Sequence, residues 1–100
     1  MNITKKTEGG KVTILLEGWL DTVAAPNLNA VVSELGEAEE LIFDFEKVDY
    51  ISSSGLREVV VAFRKQMAAN HAFSIINVNE DVKSIFKLTK IDTKIKILSK

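Results

Sequence analysis

The sequence predicts an α/β fold: one domain with a mostly parallel, mixed β-sheet and helices packed mainly on one face. The first observation is that apolar runs of strand length alternate with stretches of helical periodicity, in the order β-β-α-β-α-β-α-β. The second is that strands alternating with helices are joined by right-handed crossovers, which make neighbouring strands parallel. The 100 residues contain no internal repeat or linker, so we expect a single domain over residues 1–100.

The chain begins with a predicted β-hairpin. The Glu-Gly-Gly sequence at residues 8–10 is typical of a tight turn between two short strands. The strand after this turn alternates apolar and more polar positions, which predicts one buried face carrying Val12, Ile14 and Leu16. Residues 2–7 are expected to pair with it as a polar edge strand.

A helix is expected next. Asp21 or Thr22 can start it as an N-cap, and Pro26 is acceptable only in its first turn. Gly36 ends the helical pattern. The apolar residues recur at i, i+3, i+4 and i+7 and predict a buried face made of Leu28, Val31, Val32 and Leu35.

The middle of the chain predicts a strand, a short crossing and a second helix. Residues 41–45 form an apolar run that predicts a buried strand, and Val48, Tyr50 and Ile51 anchor the polar crossing after it. The helical spacing begins near Leu56. The predicted buried face of this helix consists of Leu56, Val59, Val60, Phe63 and Met67.

The last third predicts a strand, a helix and a final strand. Residues 73–78 form the strand, and a polar side chain among residues 79–81 can cap the third helix. That helix carries Val82, Ile85, Phe86 and Leu88, and residues 95–98 form the last strand. We expect one core shared by Phe43, Phe63, Ile76 and Ile85.

Three serines, Ser52, Ser53 and Ser54, precede Gly55 where the second helix opens. Serine is a favoured N-cap because its hydroxyl accepts a hydrogen bond from a free first-turn amide. One serine is enough for capping, so three in a row followed by glycine favour a site at the positive end of the helix dipole, where a phosphate is tolerated. The alternative is that the three side chains only satisfy the first-turn amides.

The stretch from residue 41 to residue 56 resembles the STAS domain, specifically the anti-sigma factor antagonists of bacterial partner-switching systems. That family has a strand ending in Asp, a hydrophobic crossing, and then Asp-Ser-Ser/Thr-Gly-Leu. Anchored on Gly55 and Leu56, the resemblance implies that Ser53 is the phosphorylated residue and Ser54 the second hydroxyl. Ser52 stands where the family usually has Asp.

The resemblance extends over most of the chain. Residues 18–28 are similar to the family's segment between an early strand and the first helix, and residues 76–79 to a strand end. Residues 88–91 are similar to the Leu-Thr-Gly-Leu that closes the family's last helix, with Lys90 in place of Gly. Asp44 matches the strand-end Asp, and we expect its carboxylate near the serine turn (residues 52–54), where it would help to hold the turn through backbone amides; an edge-exposed charge is the alternative.

The resemblance implies a switchable protein-binding module. Unphosphorylated, the chain would bind an anti-sigma factor that is also a serine/threonine kinase; phosphorylated on Ser53, it would be released until a phosphatase restores it. ATP would belong to the kinase, so no cofactor is expected. The implied partner-binding residues are Asp21, Thr22, Ser52, Ser53, Ser54, Gly55 and Leu56.

Two other readings remain open at this point. The first is a STAS subunit that regulates a lipid or anion transport complex without phosphorylation. The second is a small-ligand sensor, which needs a cavity that the compact apolar pattern does not indicate. Trp19 follows a glycine at a strand end; partial burial is the commoner fate of such a ring, and an interface anchor is the alternative.

Composition argues against several classes of function. A net charge of −1 and a pI of about 5.8 give no electrostatic case for nucleic acid binding. There is no cysteine, and the single histidine, His71, is expected at a helix end, so neither a metal site nor a catalytic nucleophile–base pair is expected. We expect no enzyme activity. No signal peptide or transmembrane stretch is recognisable, which favours the cytoplasm without membrane insertion.

Overall fold

The computed structural model describes residues 1–99 and contains the predicted order of strands and helices. A 3₁₀ turn at Ile91–Thr93 precedes the last strand. The elements are β1 (Asn2–Glu8), β2 (Lys11–Leu20), α1 (Ala25–Glu34), β3 (Glu40–Ile51), α2 (Ser53–Ala68), β4 (Ala72–Val78), α3 (Glu80–Leu88) and β5 (Lys96–Ser99).

The sheet has the strand order β1-β2-β3-β4-β5, so each strand pairs with its neighbour in sequence. β1 is antiparallel to β2, whereas the pairs from β2 to β5 are all parallel. Every crossover therefore moves across the sheet in the same direction, and crossovers of one hand then place all three helices on the same face. This confirms the predicted mixed sheet with helices on one face.

The core lies between that face and the helices. Phe43 and Phe45 on β3 are fully buried. Phe43 meets Phe73 of β4 edge-on, with ring centroids 5.0 Å apart, and Phe45 lies 6.0 Å from Phe86 of α3. The first contact lies between neighbouring strands, and the second joins the sheet to α3. Buried aromatic rings are large contributors to the stability of a core.

The predicted shared core is right for three of its four members. Phe43 is buried, and Phe63 and Ile85 are half-buried and pack against the core. Ile76 was wrongly included, because side chains alternate along a strand and its neighbour Ile75 is the fully buried one. Ile76 therefore lies on the face of the sheet that carries no helix.

The buried face of α2 is rotated from the predicted one. Val59 is fully buried as expected, but Met67 is 43% exposed and the deeply buried positions include Ala62 and Gln66. Gln66 is accepted in the core because its Nε2 amide donates to the carbonyl oxygens of Ala38 (2.8 Å) and Ala72 (3.0 Å). A pattern of large apolar residues does not detect a small residue and a satisfied amide.

The end of β3 and the start of α1 also differ from the predictions. β3 does not end at Phe45 but continues through the expected crossing to Ile51, because two irregularities in its register with β2 let the polar stretch stay paired. Val48 and Ile51 are thereby buried. α1 begins at Ala25 and not at Asp21 or Thr22, and residues 21–24 form a separate turn.

No helix within residues 1–99 is long and apolar enough to span a membrane.

Candidate functional site

The serine turn lies at the carboxyl ends of β2 and β3, where Leu20 pairs with Ile51. Ligands and partners of parallel sheets commonly meet this edge, because the loops that follow the strands project there. α2 begins at Ser53, three residues earlier than the helical spacing predicted. The serines are therefore the cap and the first two residues of the helix, in agreement with the N-cap role that the sequence predicts for this cluster.

Ser52 is the N-cap of α2. Its backbone is extended, and its Oγ accepts a hydrogen bond from the amide of Gly55 at 3.2 Å. Its own amide donates to the carbonyl oxygen of Leu20 at 2.9 Å, and its hydroxyl also lies within 3.4 Å of that oxygen. Ser52 thus fastens the start of α2 to the end of β2, and its hydroxyl satisfies a first-turn amide that an aspartate carboxylate would also satisfy.

The loop that contains Asp21 and Thr22, which the resemblance includes among the partner-binding residues, lies directly beside the serine turn. Thr22 Oγ1 and Ser54 Oγ are hydrogen-bonded at 3.2 Å, across 32 positions of sequence. Asp21 holds its own loop: its Oδ1 accepts from the amides of Val23 (3.1 Å) and Ala24 (2.9 Å). The structure therefore brings Asp21 and Thr22 together with Ser52, Ser53 and Ser54 on one continuous surface.

Ser53 differs from its two neighbours. It is exposed, it is the first residue of α2, and its hydroxyl makes no hydrogen bond within residues 1–99. Across the same described residues, the backbone amides of Ser53 and Ser54 have no acceptor, whereas those of Gly55 and Leu56 are satisfied by Ser52. A free hydroxyl thus stands beside two free amides at the positive end of the helix dipole.

Gly55 and Leu56 have structural roles at the same turn. A Cβ on Gly55 would lie 2.5 Å from the carbonyl oxygen of Leu20 and 2.9 Å from Cγ1 of Ile51. Only glycine lets α2 approach the strand ends this closely. Leu56 is half-buried and packs against the core, so only part of its side chain is accessible at the surface.

The expectation for Asp44 is wrong. Its Oδ1 accepts from the amide of Glu46 (3.0 Å) and from Nδ2 of Asn77 (3.1 Å), so it links β3 to the end of β4. Since β3 runs on to Ile51, Asp44 lies within the strand and does not bond to the serine turn.

Trp19 is 62% exposed and packs on Tyr50, with ring centroids 5.8 Å apart. The expected partial burial of Trp19 is therefore wrong, and its exposure fits the alternative of an interface anchor. Tyr50, expected as an apolar anchor of the crossing, is 46% exposed. Trp19 and Tyr50 pair across β2 and β3, one position before Leu20 and Ile51 at the strand ends.

Sequence reasoning missed one surface feature, a groove of about 430 Å³ between α2 and the segment that follows α3, which the apolar pattern did not indicate. Within residues 1–99, no cluster of three His, Asp or Glu side chains is placed to bind a metal.

Comparison with solved structures gives the same fold. The chain is similar to an anti-sigma factor antagonist from Mycobacterium paratuberculosis, with a TM-score of 0.90, 18% identity, and coverage of 99% of this chain and 86% of that chain. It is also similar to the anti-sigma factor antagonist SpoIIAA in its unphosphorylated form, with a TM-score of 0.79, 20% identity, and coverage of 99% and 89%.

SpoIIAA, a Bacillus cell fate determinant, has also been solved in a phosphorylated form, which the chain matches with a TM-score of 0.77, 21% identity, and coverage of 96% and 90%. A sulfate transporter family protein from Wolinella succinogenes gives a TM-score of 0.82 at 11% identity, covering 94% of this chain and 80% of that one. A search of curated protein sequences found no match. The family model of the STAS domain matches residues 2–100, and the chain therefore belongs to the STAS domain family.

Proposed function

We propose that this chain is an anti-sigma factor antagonist whose binding to an anti-sigma factor serine/threonine kinase is switched by phosphorylation of Ser53. One observation carries the proposal: among the three serines, Ser53 alone is exposed and free of hydrogen bonds within residues 1–99. Ser52 is engaged as the cap of α2, and Ser54 is bonded to Thr22. A kinase can reach the Ser53 hydroxyl without first breaking either of those interactions.

The surroundings of Ser53 suit a phosphate. Phosphorylation adds close to two negative charges at the start of α2, where the dipole and the two free amides favour an anion. Arg57 lies one turn further along the same helix, at the i+4 spacing that lets a cationic side chain approach the phosphate. The modified chain is therefore expected to stay folded, and the modification acts on recognition.

The proposed partner surface joins the loop at Asp21 and Thr22 to residues 52–56. We include the exposed pair of Trp19 and Tyr50 in this surface, because exposed aromatic side chains are common anchors of protein interfaces. A partner shaped for the small Ser53 hydroxyl would have to desolvate the phosphate or meet it with like charge, either of which weakens binding. A phosphatase would return the chain to its binding state, and the complex would form in the cytoplasm.

The proposed activity is binding, with ATP supplied by the kinase. Ser53 begins the 16-residue α2, whose length is about 24 Å at 1.5 Å per residue, and His71 lies beyond its far end. These two side chains are therefore too far apart to act as a nucleophile and a base.

The alternative function is a STAS subunit that regulates a lipid or anion transport complex without phosphorylation. The observation that favours this alternative is that a sulfate transporter family protein of Wolinella succinogenes shares the fold. Affinity purification of the tagged chain from its native cells, followed by mass spectrometry, separates the two. Recovery of an ATP-binding serine kinase supports the proposal, whereas a transporter ATPase or permease recovered in its place supports the alternative.

A further inference from the structure

The groove between α2 and the segment joining α3 to β5 has the volume of a small-ligand site. Its volume of about 430 Å³ lies within the ~300–1,000 Å³ usual for such sites. Its floor is apolar, formed by Val60 and Phe63 of α2 and by Ile91 and Ile95 of the following segment. Ile95 is buried, whereas the other three are half-exposed and leave apolar surface open to a ligand.

The rim of the groove is positively charged. Arg64, Lys90 and Lys94 line it, and no acidic residue does. None of the three forms an ion pair in the part of the chain that the structure describes, where the salt bridge is Lys47 with Glu17. Three cations around a groove that no acidic residue lines create a local positive potential, which attracts an anion even though the net charge of the chain is −1.

The backbone conformation of Lys90 is a second observation that favours a ligand site at this groove. Each of the three helices is followed by a residue with a left-handed backbone: Gly36 after α1 (φ 66°), Asn70 after α2 (φ 60°) and Lys90 after α3 (φ 61°). Glycine and asparagine are the residues favoured at this position, whereas lysine is strained there. Helix termination therefore explains the left-handed backbone at this position but not the lysine that adopts it, and strained residues that persist cluster at functional sites such as ligand clamps.

The hydroxyl groups that line the groove are not free to donate a hydrogen bond to a bound anion. Thr89 Oγ1 donates to the carbonyl oxygen of Ile85 at 2.8 Å, and Thr93 Oγ1 donates to that of Lys90 at 2.7 Å. Both protons are used within the chain. An anion in the groove would consequently be held by the ammonium and guanidinium groups.

We propose that this groove binds a small amphiphilic anion, with a carboxylate or phosphate head at Arg64, Lys90 and Lys94 and an aliphatic tail over Phe63 and Ile91. Such a ligand matches the charged rim and covers the open part of the apolar floor. The site is separate from the serine turn: Arg64 lies eleven residues along α2 from Ser53, about 16 Å at 1.5 Å per residue.

The test titrates the full ¹⁵N-labelled chain with octanoate and with octyl phosphate while backbone amide shifts are followed. Saturable shifts centred on residues 60–64 and 89–95 are expected for at least one of the two, and the tighter one identifies the head group. Acetate, inorganic phosphate and octyltrimethylammonium are matched controls that lack the tail or reverse the charge, and they should produce no saturable shift there.

Two double variants distinguish specific binding in the groove from general attraction to a positively charged surface. The double variant Lys90→Gly/Lys94→Gln removes two rim cations and relieves the strained backbone, so it should stay folded and bind at least about fivefold more weakly. Lys5→Gln/Lys6→Gln makes the same charge change on β1 and should bind as the wild type does. The proposal is overturned if neither amphiphile saturates by ~10 mM, if octyltrimethylammonium binds as well, or if the two double variants bind alike.

Discussion

The carbonyl oxygen of Leu20 lies 2.5 Å from the point where a Cβ on Gly55 would sit. The end of β2 and the first turn of α2 are therefore in direct backbone contact. The same oxygen accepts a hydrogen bond from the amide of Ser52. One atom of β2 therefore holds the N-cap residue of α2 in place and leaves room only for glycine at position 55. This contact determines where the Ser53 hydroxyl is presented.

Replacing Gly55 with alanine should destabilise the fold by roughly 1–2 kcal/mol. The added methyl group meets backbone that cannot move aside, a cost of about 1–3 kcal/mol, while alanine's better helix propensity returns up to about 1 kcal/mol. Urea denaturation followed by circular dichroism measures the difference. Gly10→Ala is the matched control, because its methyl group meets only the flexible side chain of Glu39. A Gly55→Ala chain at least as stable as the wild type would show that the approach is looser than described.

Truncating two core aromatics should distinguish full from partial burial. Phe43→Ala is expected to cost about 3–5 kcal/mol, the usual range for a buried aromatic ring. Phe63→Ala should cost less than about 3 kcal/mol, because Phe63 is half-buried. Equilibrium unfolding of both variants measures the order. A larger loss at Phe63 than at Phe43 would mean that α2 packs in the register predicted from sequence.

Much of this fold can be predicted from the sequence because each element has a clear period. The i, i+3, i+4, i+7 spacing in α1 holds for Leu28 and Val32, which are buried, and the alternation in β2 holds for Val12, Ile14 and Leu16. The same method fails where burial depends on something other than a large apolar side chain. Gln66 is buried because of two backbone acceptors that are distant in sequence.

Part of the candidate site can also be predicted from the sequence. A serine cluster directly before a helical pattern is a local signal, so its place at the start of α2 can be predicted. The pairing of Thr22 with Ser54, the exposure of Trp19 and the error at Asp44 depend on how β2 and β3 pair along their full length. The register irregularities that extend β3 to Ile51 leave no local signature that sequence periodicity detects.

Of the three serines, we expect only Ser53 to be phosphorylated. Incubation with the cognate kinase and ATP should add one phosphate, on Ser53. Ser53→Ala should abolish the incorporation, whereas Ser54→Ala should only reduce it, because Ser54 shapes the neighbouring loop through Thr22. Tandem mass spectrometry of the intact and digested chain measures both. Phosphate on Ser52, or undiminished incorporation in Ser53→Ala, would contradict the assignment.

The Trp19 prediction concerns the extent of the partner surface. Trp19→Ala should weaken binding of the anti-sigma partner about tenfold or more while changing the melting temperature little, because the ring is 62% exposed. Leu88→Ala, at an 84% exposed position at the end of α3, is the control and should bind normally. Isothermal titration calorimetry measures both. Equal affinities for the two variants would restrict the interface to the serine turn and the Asp21 loop.

The most direct test of the switch compares wild type, Ser53→Ala and Ser53→Asp by calorimetry, each for unfolding and for binding the anti-sigma partner. An aspartate at the first position of α2 is favoured by the helix dipole by about 0.3–1 kcal/mol, so its melting temperature should stay within about a few degrees of wild type. Binding should fall at least about tenfold for Ser53→Asp, a loss of about 1.4 kcal/mol, and change little for Ser53→Ala. A folded Ser53→Asp chain that binds as tightly as wild type, or one that unfolds, would contradict a phosphorylation switch at this turn.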